Sequence, residues 1–68
     1  MIVYNKLFAI LAMRGMKRTD LLKPKGILSS PTLAKLGKNE IVSVEIIDKL
    51  CDFLDCQPGD IMEYKKEG

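Results

Sequence analysis

Of the side chains that can exchange protons, attack, ligate or carry charge, this 68-residue chain is well supplied only with the last kind. There is no histidine to serve as a base near neutral pH, and no glycine-rich loop that would cradle a phosphate. Cys51 and Cys56 are the only cysteines, too few for a tetrahedral zinc site within one chain. Five apart on a helix, the two would point about 140° apart at roughly 100° per residue, which argues against a disulfide. Cys51 also falls in an apolar row with no basic neighbour on its own helical face, so both cysteines read as free thiols of a reducing cytosol. The acids read as a solvated helix face. Neither catalysis, nor a metal, nor a cofactor is expected.

Charge is the informative chemistry, and its placement matters more than its total of +2. Between Arg14 and Lys38 stand seven bases (Arg14, Lys17, Arg18, Lys23, Lys25, Lys35 and Lys38) against the single acid Asp20, a surplus of six positive charges. Between Asn39 and Tyr64 stand seven acids (Glu40, Glu45, Asp48, Asp52, Asp55, Asp60 and Glu63) against Lys49, a surplus of six negative charges. Lys6 and the tail Lys65-Lys66-Glu67 supply the remainder. A chain so divided suits a polyanion on one half and solvent or a protein partner on the other, although mutual attraction of the halves would use the same pattern.

The elements that must position these charges follow from apolar spacing. Tyr4, Leu7, Phe8 and Leu11 recur as one stripe, predicting a helix from about Tyr4 to Arg14 that stops at Gly15, with Ile10 and Met13 widening its apolar face. Thr19-Asp20-Leu21-Leu22 reads as a second helix start capped by Thr19, which Pro24 must shorten or distort and Gly26 ends. Ser29 then caps a third, with Leu28 and Leu33 as a hydrophobic staple, Pro31 where a missing donor is harmless, and the Ser29 hydroxyl accepting from the Thr32 N–H. Leu33 and Leu36 point inward, and Gly37 ends or loosens the helix. Ser43 caps a fourth helix whose apolar rows hold Ile46, Ile47, Leu50, Cys51, Phe53 and Leu54. Gln57-Pro58-Gly59-Asp60-Ile61-Met62 makes a brief last one with Pro58 at its first position. Ile2-Val3-Tyr4 and Met62-Glu63-Tyr64 have strand-like composition and could pair. The apolar run Leu7–Met13 is far shorter than the roughly 20 residues of a membrane span, and no cleavage site follows it. A soluble cytoplasmic chain of one domain is expected.

Two short helices joined by a glycine-containing turn, the second exposing small and basic residues, form a helix-turn-helix. The helix starting near Ser29 has no bulk at its leading end, donors at Ser30 and Thr32, and Lys35 and Lys38 further along to meet phosphate or guanine edges. Arg14, Lys17, Arg18, Lys23 and Lys25 are placed to grip the flanking backbone.

The stretches TDLLKPKGI, SSPTLAKLGKNE, VSVEIIDKLCDFLDC and QPGDIMEY resemble the Cro/CI-type (XRE-family) helix-turn-helix proteins, especially their small single-domain regulators. The resemblance covers nearly everything from Thr19 to Tyr64, while the first helix matches in pattern only. It implies an all-α, five-helix, lambda repressor-like domain over residues 1–68, with the helix-turn-helix at approximately 19–37. It further implies operator binding in the major groove by a homodimer on a palindromic site. Carried over by position, Ser29 would cap and touch phosphate, Ser30, Pro31, Thr32 and Lys35 would face the groove, and Lys38 and Asn39 would lie near the backbone beyond it, with Lys17 and Arg18 flanking. Two departures stand out: Pro24 within the helix that crosses the backbone, and a Gly26-Ile27-Leu28-Ser29 connection one residue longer than the usual turn. Either could rotate the recognition helix. The expected function is transcriptional regulation through duplex DNA, with no membrane and no small-molecule ligand. The alternative is a protein-interaction module on the same scaffold, antitoxin-like or a co-regulator of a larger transcription factor. Ile2-Val3-Tyr4 and Met62/Tyr64 are the first candidates for a dimer surface.

Overall fold

The structure, a computed structural model, describes residues 1–66. Its order is strand β1 (Ile2–Val3), helix α1 (Asn5–Met13), a 3-10 turn (Arg18–Leu21), α2 (Ser30–Gly37), α3 (Val44–Leu54), α4 (Pro58–Ile61) and strand β2 (Glu63–Tyr64). Four α-helices therefore replace the expected five. The second helix is reduced to the 3-10 turn because Pro24 has no N–H to offer a continuing helix and disfavours helical geometry at Lys23. Thr19 is not its cap: Lys17 precedes the turn in extended conformation, and the Asp20 carboxylate accepts from the Lys17 N–H at 2.9 Å.

The chain between the 3-10 turn and α2 satisfies its backbone locally. Lys23 N–H donates to the Leu28 carbonyl at 3.0 Å, while Ile27 and Leu28 both donate to that of Leu21 at 2.8 Å. Leu22 and Leu28 thus pair as a short parallel bridge, with Leu21 and Leu28 buried beneath it. Gly26 lies so close to this wall that a Cβ there would overlap the Leu21 carbonyl. The glycine is required by proximity.

α1, α2 and α3 end in one way, with a left-handed residue followed by a bond back across five residues. The left-handed residues are Gly15 (φ 67°), Asn39 (φ 57°) and Asp55 (φ 51°). The closing bonds run from Met16 N–H to the Leu11 carbonyl (2.8 Å), Glu40 to Lys35 (2.9 Å) and Cys56 to Cys51 (3.0 Å). These are Schellman closures, which satisfy carbonyls that a helix end leaves unpaired. Gly37 is therefore the last residue of α2 and not its left-handed stop. Ser43 caps α3 as expected, accepting from the Ile46 N–H at 3.4 Å.

The core gathers Tyr4, Leu7, Leu11, Leu21, Leu28, Leu36, Ile47, Leu50, Leu54 and Ile61. α4 packs against both α1 and α3. Ile10 joins the core's margin, but Met13 is 86 % exposed, since its direction falls outside the stripe of Leu7 and Leu11. The termini pair antiparallel, Ile2 opposite Tyr64 and Val3 opposite Glu63. This uses up most of the apolar ends considered above for dimerisation: Val3 and Tyr4 are buried, Ile2 and Met62 pack against the core, and only Tyr64 stays exposed. No helix among the described residues is long and apolar enough to cross a membrane.

Candidate nucleic-acid interface

α2 owes its attitude to Leu36, fully buried, and Leu33, half-buried against the core. With those two turned inward, two neighbouring stripes face outward. One holds Ser30, Ala34 and Gly37, and the other Pro31, Lys35 and Lys38, each at i, i+4, i+7 spacing and each exposed. Ser29 adopts the extended conformation of an N-cap, and its carbonyl accepts from Leu33 N–H at 3.1 Å. Its side chain does not accept from the Thr32 backbone as anticipated. Instead the two hydroxyls, Ser29 Oγ and Thr32 Oγ1, bond each other at 3.0 Å. In the first turn Pro31 has no N–H, and those of Ser30 and Thr32 sit at the partial positive charge of the helix start, a place suited to phosphate.

Further cations lie on the segment before α2: Lys17 just ahead of the 3-10 turn, Arg18 on it, and Lys23 and Lys25 on the following loop, all exposed. Lys25 is the exception in availability, since its Nζ sits 3.3 Å from the Asp20 carboxylate. The Lys17 N–H first, and Lys25 second, hold that carboxyl below its ordinary value. The other ion pair among the described residues joins Lys49 to Glu45 on α3. Neither Lys35 nor Lys38 is thus neutralised by a carboxylate of the described chain.

Two of the anticipated contact residues are engaged inside the fold. The Arg18 guanidinium stacks 4.0 Å from the centre of the Phe8 ring, and one of its nitrogens faces Gly37 at the far end of α2. Arg18 thereby ties α1 to the outgoing end of α2. Asn39 takes the left-handed position after α2, and its side-chain oxygen accepts from the Tyr4 N–H at 3.1 Å. The buried Tyr4 hydroxyl donates to the Glu40 carbonyl at 2.9 Å, so the start of α1 clamps the exit of α2 from two sides. Sequence reading missed this clamp. Its available signal was an asparagine just past a helix, a residue that tolerates positive φ.

Comparison with known proteins places this arrangement. Residues 6–67 match the model of the Cro/C1-type HTH DNA-binding domain. The chain belongs to the Cro/C1-type helix-turn-helix family. Within curated sequences it is 36 % identical over 59 residues to the uncharacterized HTH-type transcriptional regulator YozG of Bacillus subtilis (strain 168), spanning 85 % of this chain and 70 % of that one. Among solved structures it is similar to the transcriptional regulator VanUg, with a TM-score of 0.87 and 44 % identity over 97 % of this chain and 87 % of that one. In this Cro/C1-type member the stretch expected to form the helix-turn-helix holds the 3-10 turn Arg18–Leu21 and α2, joined by the bridged loop. The family and the helical architecture agree; the second helix expected from the sequence is what has contracted.

Proposed function

We propose that this protein is a transcriptional regulator of the cytoplasm that binds duplex DNA sequence-specifically as a homodimer on a palindromic operator. The observation that carries the reading is the exposed α2 face, small at its leading end and bearing two unneutralised lysines, in a chain of a DNA-binding family. In this reading Ser29 and the first N–H groups of α2 hold phosphate. Ser30, Pro31, Thr32 and Lys35 face base edges, and Lys38 and Lys17 meet the backbone on either side. Arg18 and Asn39 act at one remove, by fixing the outgoing end of α2.

Binding to the DNA upstream of its own gene, followed as a salt titration, tests this. Log affinity is expected to fall linearly with log salt by about 0.9 per phosphate neutralised. Replacing Lys38 by Ala should reduce that slope by about 1 and weaken all sequences alike, whereas Lys35→Ala should also relax preference at one base pair. A folded protein that fails to bind that DNA at low salt would end the proposal.

The rival reading, a protein-interaction module, draws on α3. Its outer face carries Glu45, Asp48 and Asp52, with Asp55 just past its end, and the exposed apolar residues Ile41 and Val44 stand before and at its start. The double charge reversal Lys35→Glu with Lys38→Glu separates the two. DNA affinity collapses under the first reading, and capture of a protein partner through α3 persists under the second.

A further inference from the structure

The two cysteines do not stand where helical spacing alone would put them. α3 stops at Leu54, and Asp55 turns the chain through the left-handed region (φ 51°, ψ 59°). Cys56 then folds back, donating its N–H to the Cys51 carbonyl at 3.0 Å. In a Schellman closure the residue after the left-handed one bonds back to the residue five before it, and a contact between their side chains frequently accompanies that bond. The sequence pair in that position is Cys56 and Cys51. At the end of α1 the same closure bonds Met16 back to Leu11, two apolar residues that both pack into the core.

Three further facts converge on the pair. Both thiols are free and half-buried at the margin of the core, so neither is sealed from a small reagent. Burial, and after it the neighbouring Cys51, push the Cys56 thiol above its ordinary value, as expected when two sulfurs share one site. A direct backbone bond between the two residues also brings their main chains together, as a disulfide, whose Cα atoms lie about 4.4–6.8 Å apart, requires.

We propose that Cys51 and Cys56 form a closable dithiol, an intrachain disulfide that staples the last turn of α3 to the corner before α4. The oxidant is a low-molecular-weight disulfide. One protein thiol, as thiolate, attacks a sulfur of the oxidant, forming a mixed disulfide and expelling one thiolate. The second protein thiolate attacks the protein sulfur of that mixed disulfide and expels the other. Two protein thiols are oxidised, one disulfide is reduced to two small thiols, and the two protein protons end on those leaving groups.

The closure ties together a corner that packs against α1 and α3 through Ile61, on elements other than α2. Its expected effect is on stability, with the DNA-facing helix untouched.

The test uses the full chain in glutathione redox buffers, quenched with acid and measured by intact mass. Oxidised wild-type protein should run as a monomer lighter by about 2 Da, with both thiols lost to alkylation, and should melt at a higher temperature than the reduced form. Cys51→Ser and Cys56→Ser should each take up one glutathione and show no gain in melting temperature. Wild-type protein that instead carries two glutathiones, cross-links between chains, or keeps two free thiols under oxidising buffer would overturn the proposal.

Discussion

Gly26 shows how much a single missing methyl group can hold. A Cβ at this position would enter the Leu21 carbonyl, which is itself fixed by bonds from Ile27 and Leu28. Because the obstacle is backbone and not the tip of a mobile side chain, relief requires the 3-10 turn to part from the loop. Gly26→Ala should therefore cost on the order of 2 kcal/mol or more in urea unfolding, whereas the same change at Gly59, a position in α4 where a Cβ meets nothing, should stabilise by about 0.4–1 kcal/mol. Local sequence marks Gly26 only as the end of a helix; the actual demand on it comes from a neighbour five residues earlier. Asn39 teaches the same lesson. Its type permitted positive φ, but its bond to Tyr4 spans 35 positions, a separation no local pattern encodes.

Among the elements, the contracted second helix is the main departure, and its support is unusual. With only Arg18–Leu21 in 3-10 geometry, the segment is tied by its backbone to the loop at Ile27 and Leu28. The Arg18 stack on Phe8, and its approach to Gly37, supply part of what a longer helix would. A double-mutant cycle with Arg18→Gln and Phe8→Leu should reveal a coupling of about 0.5–1 kcal/mol, the range of an exposed cation–π pair. Strict additivity in that cycle would remove Arg18 as a strut and return it to the phosphate-contacting set. Helix limits were otherwise legible, because caps are local chemistry: Ser43, Gln57-Pro58 and Gly15 each act within a few residues of themselves. Thr19 and the Ser29 hydroxyl misled for a related reason. A cap also depends on how the flanking chain arrives, and there Pro24 and the bridged loop decided the approach.

At the scale of the whole fold, the two paired strands matter. Val3 is buried, β1 pairs with β2, and Met1 and Lys65 exchange backbone bonds beyond the strands. A chain beginning at Tyr4 loses the burial of Val3 and this pairing, a loss of about 2 kcal/mol. At roughly 4–8 °C per kcal/mol for a domain of this size, its melting temperature should drop by roughly 8–16 °C, measurable by circular dichroism. An unchanged melting temperature would show the ribbon to be ornamental to the fold. By itself the sequence determined the helical class, the divided charge, the family and the inward leucines of α2. Each of these is written in residue types at short, regular spacing, where local propensity and burial point the same way. Only the tertiary structure decided that the second helix shrinks to a turn, that Arg18 and Asn39 are engaged within the fold, and that Cys56 returns to Cys51. Those outcomes rest on backbone reversals and contacts between distant segments, whose energies appear only once the chain has closed on itself.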